Sequence, residues 1–152
     1  MVERRLTALI AGWDGSLQWR YAHLANAAAL LWEETEGISW LGFYLTDRET
    51  GKLILGPFQG KVACTEIPIG KGVCGKAAEL KKAILVPDVH AFEGHIVCDD
   101  ASLSELVVPL IDPRGEVVGV LDIDSPLKGR FTTEDRRRFE RYAKRISQAL
   151  WS

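Results

Sequence analysis

The stretch ELVVPLIDPRGEVVGVLDID, from Glu105 to Asp124, decides the fold of this chain. It holds two apolar runs, Glu105–Ile111 and Glu116–Asp124, which are separated by the four residues Asp112–Gly115. These four residues read Asp-Pro-Arg-Gly, and Asp, Pro and Gly all favour tight turns. Two apolar runs around such a turn predict a β-hairpin.

Within the second run, apolar and acidic residues alternate in the order Leu121, Asp122, Ile123, Asp124. Successive side chains of a strand point to opposite faces of a sheet, so the apolar pair suits a core. The two aspartates then face the other way, about 7 Å apart. A buried carboxylate without a partner costs free energy. We therefore interpret the aspartates as functional; the simpler alternative is that they begin a turn.

The stretch WLGFYL, from Trp40 to Leu45, predicts another strand. The side chains that would face the core are Leu41, Phe43 and Leu45. The opposite face holds a glycine between two aromatics: Trp40, Gly42 and Tyr44. If the two strands share a sheet, the glycine leaves a gap with aromatic walls beside the aspartates. Such a site suits a small ligand with a cationic amine and a soft apolar tail. The alternative is that Trp40 and Tyr44 are core residues.

The remaining patterns complete an α+β domain. Apolar residues at helical spacing predict one helix from Val2 toward Trp13 and a second that follows Ser16 as its N-cap. KLILG, KVACTEIPI and AILV predict further strands, and Val73–Leu80 predicts a short helix. A last helix begins at Thr132 or Thr133 with a capping box. This order predicts helices packed on one face of a mostly antiparallel sheet.

Composition limits the classes of protein and of partner. The chain has 152 residues, of which 47% are hydrophobic and 26% charged, and this predicts one globular domain. The 19 Lys and Arg residues against 21 Asp and Glu residues leave a net charge of -2, so we expect no nucleic-acid partner and no membrane partner. No apolar run could span a bilayer, and no signal peptide is evident, so we expect a cytoplasmic protein.

The chain has three cysteines, which are too few for a disulfide scaffold. Cys64 falls in a predicted strand. Cys74 falls at a predicted helix start, where the helix N-terminus favours the thiolate. Either one alone is better explained as a small buried residue. Cys98 lies in the long aperiodic stretch 87–104, which we interpret as a loop over a pocket.

The sequence around Cys98 contains features that favour a reactive thiol and features that oppose one. A thiol in an exposed polar loop favours a reactive role. Asp99 and Asp100 follow it directly, and nearby negative charge raises the pKa of a thiol. His90, His95 or a bound substrate would have to offset that effect.

Two other chemistries are disfavoured by the sequence. The spacing His90-x4-His95-x2-Cys98 matches no common zinc motif, so we predict no metal site. GKGVCGKA, at Gly70–Ala77, nearly matches a phosphate-binding loop, but Ala77 stands where a magnesium-binding Ser or Thr belongs. We interpret its glycines as a tight turn from strand to helix.

Six motifs together resemble those of the free methionine-(R)-sulfoxide reductases, a single-domain GAF family. The motifs are WLGFY (40–44), LGPFQGKVAC (55–64), IPIGKGVCG (67–75), VPDVHAFEGHIVCD (86–99), SELVVPL (104–110) and GVLDIDS (119–125). All three cysteines of the family fall inside them, and the likeness extends from about Leu30 to Leu150.

The resemblance implies a GAF-like α+β fold, with a central antiparallel six-stranded sheet, helices packed on one face and a ligand pocket on the other. It implies a single domain over residues 1–152. We expect its N-terminal helices over about 1–35, its sheet and site over about 38–125, and its C-terminal helix over about 132–151. Members of the family are usually homodimers.

The resemblance also implies an activity, the thiol-dependent reduction of free L-methionine-R-sulfoxide to L-methionine. Cys98 matches the nucleophile, Cys64 the resolving thiol, and Cys74 an auxiliary position. The matching substrate-binding residues are three acids and two aromatics: Glu105, Asp122, Asp124, Trp40 and Tyr44. No bound cofactor is implied, and the electrons would come from thioredoxin with NADPH.

Two alternatives belong to other functional classes. GAF domains often bind a small ligand such as a cyclic nucleotide without catalysis, and fold alone does not decide function. Against a sensor, Asp122 and Asp124 would repel a phosphate, and sensors usually sit beside an output domain, which we do not expect here. A role as a scaffold or subunit of a larger complex has no positive support in the sequence.

Overall fold

The computed structural model of the chain describes residues 1–13, 15–94 and 102–152. Its helices are α1 (Val2–Leu9), α2 (Leu17–Glu34), α3 (Gly72–Leu80) and α4 (Thr133–Leu150), with a short 3-10 turn at Val89–Ala91. Its strands are β1 (Trp40–Asp47), β2 (Lys52–Gly60), β3 (Glu66–Pro68), β4 (Ile84–Val86), β5 (Ser104–Ile111) and β6 (Val117–Ser125). In this part of the chain, no helix has both the length and the hydropathy to cross a bilayer.

The six strands form one antiparallel sheet in the order β3-β2-β1-β6-β5-β4. The predicted hairpin is present as β5 and β6, and its turn is closed by the amide of Gly115, which donates to the carbonyl oxygen of Asp112. The sheet order places β1 and β6 side by side in the middle. The prediction of an α+β fold around a six-stranded antiparallel sheet is therefore confirmed.

The two faces of the sheet have separate cores. On one face, helices α1, α2 and α4 cover Leu41 and Phe43 of β1 and Leu121 and Ile123 of β6, all of them fully buried. These are the residues that strand alternation assigned to the core. On the other face, α3 packs beside Trp40, Tyr44 and neighbouring aliphatic residues. The prediction of helices on one face thus holds for three helices, while the small inserted helix lies on the opposite face.

Helix ends follow the capping signals in the sequence. Thr132 and Asp135 form the predicted capping box, in which each side chain accepts a hydrogen bond from the other residue's backbone amide. The Ser16 hydroxyl accepts from the amide of Trp19, as an N-cap does. Helix α1 is shorter than its apolar spacing suggested, because it ends at Leu9 and Gly12 then takes a φ of +78°.

The prediction of a strand across KVACTEIPI was wrong for most of its length. Only Glu66–Pro68 is a strand, and Cys64 lies in the connection between β2 and β3. Strand β2 ends at Gly60, whose φ of +130° lies in a region that favours glycine. The chain turns there, close against the ring of Trp40.

Two buried serines fix the strand ends that flank the acidic residues. The Ser125 hydroxyl, at the end of β6, donates to the carbonyl oxygen of Gly37 at 2.6 Å and accepts from the amide of Leu127 at 3.0 Å. The Ser104 hydroxyl, at the start of β5, donates to the carbonyl oxygen of Leu127. These bonds join the two strand ends to one connection, so the register near Asp124 is held from outside the sheet.

Gly42 gives a test of the packing on the α3 face. A Cβ at this position would lie 2.2 Å from the Cβ of Phe58 and 2.9 Å from the Trp40 ring. We expect Gly42→Ala to lower the free energy of unfolding by about 1–3 kcal/mol, because the core cannot admit the methyl group without shifting strand β2. Urea titration of both proteins measures the loss.

Gly56→Ala is the matched control in the neighbouring strand. Its Cβ would meet nothing closer than the Phe43 carbonyl oxygen at 3.1 Å, so the loss should be smaller. Equal losses in the two variants would show that the effect comes from glycine itself and not from the contact with Phe58.

Candidate active site

Strand register places three acidic residues next to one another on the α3 face. Asp124 of β6 pairs with Glu105 of β5 on one side and with Trp40 of β1 on the other. Asp122, two residues earlier in β6, pairs with Gly42. Directly paired residues point to the same face of a sheet. The predicted aromatic and acidic residues therefore share one surface.

The three acids are buried. Glu105 is 7% exposed, Asp122 5% and Asp124 8%. Within residues 1–13, 15–94 and 102–152, no Lys, Arg or His forms an ion pair with Glu105 or Asp122, and Asp122 Oδ1 has no hydrogen-bond partner. Buried carboxylates without a paired cation are costly, so the fold holds Glu105 and Asp122 at the expense of stability.

Burial and crowding change the protonation of Asp122. Burial raises the pKa of this carboxyl well above its ordinary value, and the charges of Asp124 and Glu105 raise it further. Neighbouring carboxyl groups in such a cluster can form hydrogen bonds with one another only by sharing protons. Asp122 is therefore the carboxyl that can hold a proton at a pH where an exposed aspartate is ionised.

Cys74 adjoins the acidic cluster from the α3 side. Its Sγ lies 3.9 Å from Glu105 Oε2, and the residue is 4% exposed. Burial raises the pKa of the Cys74 thiol well above its ordinary value, and the charge of Asp122 adds to the effect. The expectation that the helix start would favour thiolate was wrong, because burial among acids outweighs the helix N-terminus. Cys74 is a free, buried thiol.

The aromatic wall includes a residue that the sequence did not single out. The Trp40 ring stacks on Phe58 with 5.1 Å between ring centroids, and on Tyr44 with 5.8 Å. Phe58 also pairs with Gly42 in the sheet. The predicted gap above Gly42 is thus filled by Phe58 and Trp40. The motif LGPFQG contains Phe58, but an irregularity in the β1–β2 register hides its partner from sequence reasoning.

The polar ends of the same aromatics hold the segment that carries Cys64. The Trp40 Nε1–H donates to the carbonyl oxygen of Lys61 at 3.0 Å, and the Tyr44 hydroxyl donates to that of Cys64 at 3.2 Å. Cys64 is disulfide-bonded. Trp40 and Tyr44 were predicted either as core residues or as walls of a site, and the two alternatives are compatible. Both rings are buried, and both side chains anchor this segment.

The predicted site residues near Cys98 are only partly described. Cys98, His95, Asp99 and Asp100 lie outside the described residues. His90 lies in the 3-10 turn Val89–Ala91, with its side chain exposed and its amide donating to the Asp88 carboxylate.

The raised pKa of Asp122 predicts a pH-dependent stability. The folded chain binds this proton more tightly than the unfolded chain, whose aspartates titrate near pH 3.9, so stability falls as the pH rises above that value. Asp122→Asn removes the ionisation and keeps the shape. We expect it to raise the melting temperature at about pH 8 by at least about 2–4 °C, the shift given by 1 kcal/mol in a domain of this size. The gain should shrink toward about pH 4.

Glu49→Gln serves as the control, because Glu49 is an exposed carboxylate in a turn. Its melting temperature should stay close to that of the unmodified chain, as surface substitutions usually do. A gain for Asp122→Asn that is equal at both pH values would contradict the raised pKa.

Comparison with known proteins identifies the family of this chain. A family model described as GAF domain matches residues 23–150. The free methionine-R-sulfoxide reductase of Escherichia coli (strain K12) is 46% identical over 149 residues, which cover 98% of this chain and 86% of that protein. The solved structure of fRMsr of Staphylococcus aureus in its reduced form has a TM-score of 0.88 at 44% identity and covers 98% of this chain and 92% of that one. The free methionine-R-sulfoxide reductase from Neisseria meningitidis, solved in complex with its substrate, has a TM-score of 0.90 at 40% identity, with coverage of 98% and 86%. The chain therefore belongs to the GAF domain family and, within it, to the free methionine-R-sulfoxide reductases.

Proposed function

We propose that this protein reduces free L-methionine-R-sulfoxide to L-methionine. The observation that carries the proposal is the buried cluster of Glu105, Asp122 and Asp124 beside the ring of Trp40. A free amino acid brings an ammonium group, which compensates the negative charge of the cluster. The apolar tail of the substrate suits an aromatic wall. The named reductases among the relatives support the same substrate.

The chemistry begins at Cys98, the thiol that the resemblance assigns as nucleophile. Its thiolate takes the oxygen of the sulfoxide, one proton is consumed, and the products are methionine and a cysteine sulfenic acid. The proton must come from an acid close to the oxygen. We assign this role to Asp122, because it is enclosed by Asp124 and Glu105 and its raised pKa keeps a proton available. The remaining carboxylates hold the ammonium.

The second half of the cycle involves Cys64. Its thiol attacks the sulfenic acid of Cys98, releases water and forms a disulfide. Thioredoxin or a similar dithiol then reduces the disulfide by exchange and is itself reduced at the expense of NADPH. A compartment that keeps thiols reduced, such as the cytoplasm, suits this cycle. The disulfide-bonded state of Cys64 and the free state of Cys74 support the choice of Cys64 as the resolving thiol.

A non-catalytic sensor for a cyclic nucleotide fits the site less well. The buried acids would face the phosphate of such a ligand, and Glu105 and Asp122 have no paired cation in the part of the chain that the structure describes. Calorimetry with free methionine sulfoxide and with cyclic nucleotides separates the two functions. Homodimer formation stays a prediction of the resemblance.

Turnover by cysteine variants tests the proposed nucleophile. With free methionine-R-sulfoxide, thioredoxin, thioredoxin reductase and NADPH, we expect Cys98→Ser to lose turnover completely, because the resemblance assigns the attack on the sulfoxide to this thiol. Cys74→Ser should keep most of its turnover, since this buried thiol has an auxiliary place. Full activity of Cys98→Ser would refute the mechanism. Mass spectrometry after one turnover should find the disulfide between Cys64 and Cys98.

The anchor from Tyr44 gives a second kinetic test. Loss of one hydrogen bond costs about 1 kcal/mol, which corresponds to roughly a fivefold change in an equilibrium. We expect Tyr44→Phe to slow disulfide closure after the first step by about that factor, because Cys64 is held less firmly. Tyr142→Phe is the control, since Tyr142 lies in α4 on the opposite face. Trapping of the sulfenic acid with dimedone measures its lifetime, and identical lifetimes in the two variants would contradict a role for the anchor.

A further inference from the structure

Three side chains from three separate elements bring potential metal ligands together beneath the aromatic wall. They are Cys74 of α3, Glu105 of β5 and Asp122 of β6, and one ligand atom of each lies within 4.8 Å of the other two. All three residues are buried. No sequence motif marks this group, because its members are far apart in sequence and become neighbours only through the sheet and through the docking of α3.

The spacing is close to that of a metal site. In a tetrahedral zinc site, a thiolate sulfur and carboxylate oxygens lie roughly 3.3–3.6 Å from one another, given bonds of about 2.3 Å and 2.0–2.2 Å to the ion. The Cys74 Sγ and the Glu105 Oε2 are 3.9 Å apart. This separation exceeds the spacing in a zinc site by only about 0.3–0.6 Å.

An unsatisfied ligand atom and the local charge point to a cation as well. Asp122 is 95% buried, since it is 5% exposed, and its Oδ1 has no hydrogen-bond partner among the described residues. Asp124 adds a further acid beside this group. A dication would satisfy the lone Oδ1 and neutralise carboxylates that are costly to bury.

We propose that Cys74, Glu105 and Asp122 form a binding site for zinc or a similarly thiophilic divalent cation. A set of one sulfur and two oxygen ligands selects zinc, cobalt(II) or cadmium over magnesium and calcium, which prefer oxygen alone. Binding releases the thiol proton of Cys74 and the carboxyl proton of Asp122 to solvent, and it leaves a fourth position of the ion for water.

The site has a consequence for the proposed reaction, and this consequence rests on the proposed function. In the proposed reaction, the same cluster of carboxyl groups binds the ammonium group of the substrate and donates the proton to the sulfoxide oxygen. A bound ion excludes both roles, so zinc inhibits turnover in competition with free methionine-R-sulfoxide and raises the apparent KM. A chelator reverses the inhibition, because metal binding breaks no covalent bond of the protein and oxidises none of its thiols.

Cobalt(II) titration of the double variant Cys64→Ser/Cys98→Ser tests the binding site without any need for turnover. Cys74 is then the one thiol in the chain. We expect a sulfur-to-cobalt charge-transfer band that saturates at one equivalent of cobalt. Zinc should abolish the band by displacement, and a large excess of magnesium should leave it unchanged. Absence of the band from the folded double variant would overturn the proposal.

Substitutions of the oxygen ligands separate a built site from a thiol that binds metal by itself. In the same double variant, Glu105→Gln and Asp122→Asn should each weaken cobalt binding by at least about tenfold, as loss of supporting metal contacts commonly does. Glu49→Gln, at an exposed position, should leave the affinity unchanged. Circular dichroism confirms folding of each variant. Equal affinities across all of these variants would also overturn the site.

Zinc inhibition of the chain with all three cysteines completes the test. If the protein reduces its substrate, and zinc raises KM in a way that a chelator reverses, the proposed competitive inhibition is confirmed. If cobalt binds as expected but the protein shows no turnover even without metal, the proposed function fails and the metal site stands. If turnover is insensitive to zinc at concentrations that saturate the cobalt site, the inhibitory role is wrong.

Discussion

The pairing of β6 with both β1 and β5 is the constraint on which the rest of the structure depends. Because side chains alternate along a strand, the register that buries Leu121 and Ile123 under the helices also forces Asp122 and Asp124 onto the opposite face. A slip by one residue would exchange the two pairs and drive the acids into the apolar core. The large helix-covered core therefore supplies the free energy that keeps an unfavourable acidic cluster in place.

The two faces of the sheet differ in what they demand of their side chains. The core of the helix-covered face is a large cluster of aliphatic and aromatic side chains. The α3 face mixes apolar packing with acids, a thiol and the polar ends of two aromatics. Proton storage at Asp122, cation binding at the same cluster and placement of Cys64 all arise on the second face. The residues that stabilise the fold thus lie on one face of the sheet, and the residues that lower its stability lie on the other.

Local patterns predicted the parts of the fold that local forces control. The alternation in β6, the hairpin turn and the capping box at Thr132 are all readable within a few residues, and the structure has them. Long-range features were missed. Phe58 meets Gly42 through an irregular register, and the chain turns at Gly60 before it reaches Cys64. The high pKa of Cys74 arises from acids of two distant strands, which no window around the cysteine contains.

The anchors on the Cys64 segment have an evolutionary and a practical consequence. In both of them a main-chain carbonyl oxygen of the segment, that of Lys61 or that of Cys64, accepts the hydrogen bond, so neither bond depends on the side chains in between. Val62 is 90% exposed. Mutational drift at this position should leave the thiol where it is. The same freedom makes residue 62 a suitable place for an environment-sensitive dye that follows the oxidation state of the neighbouring sulfur.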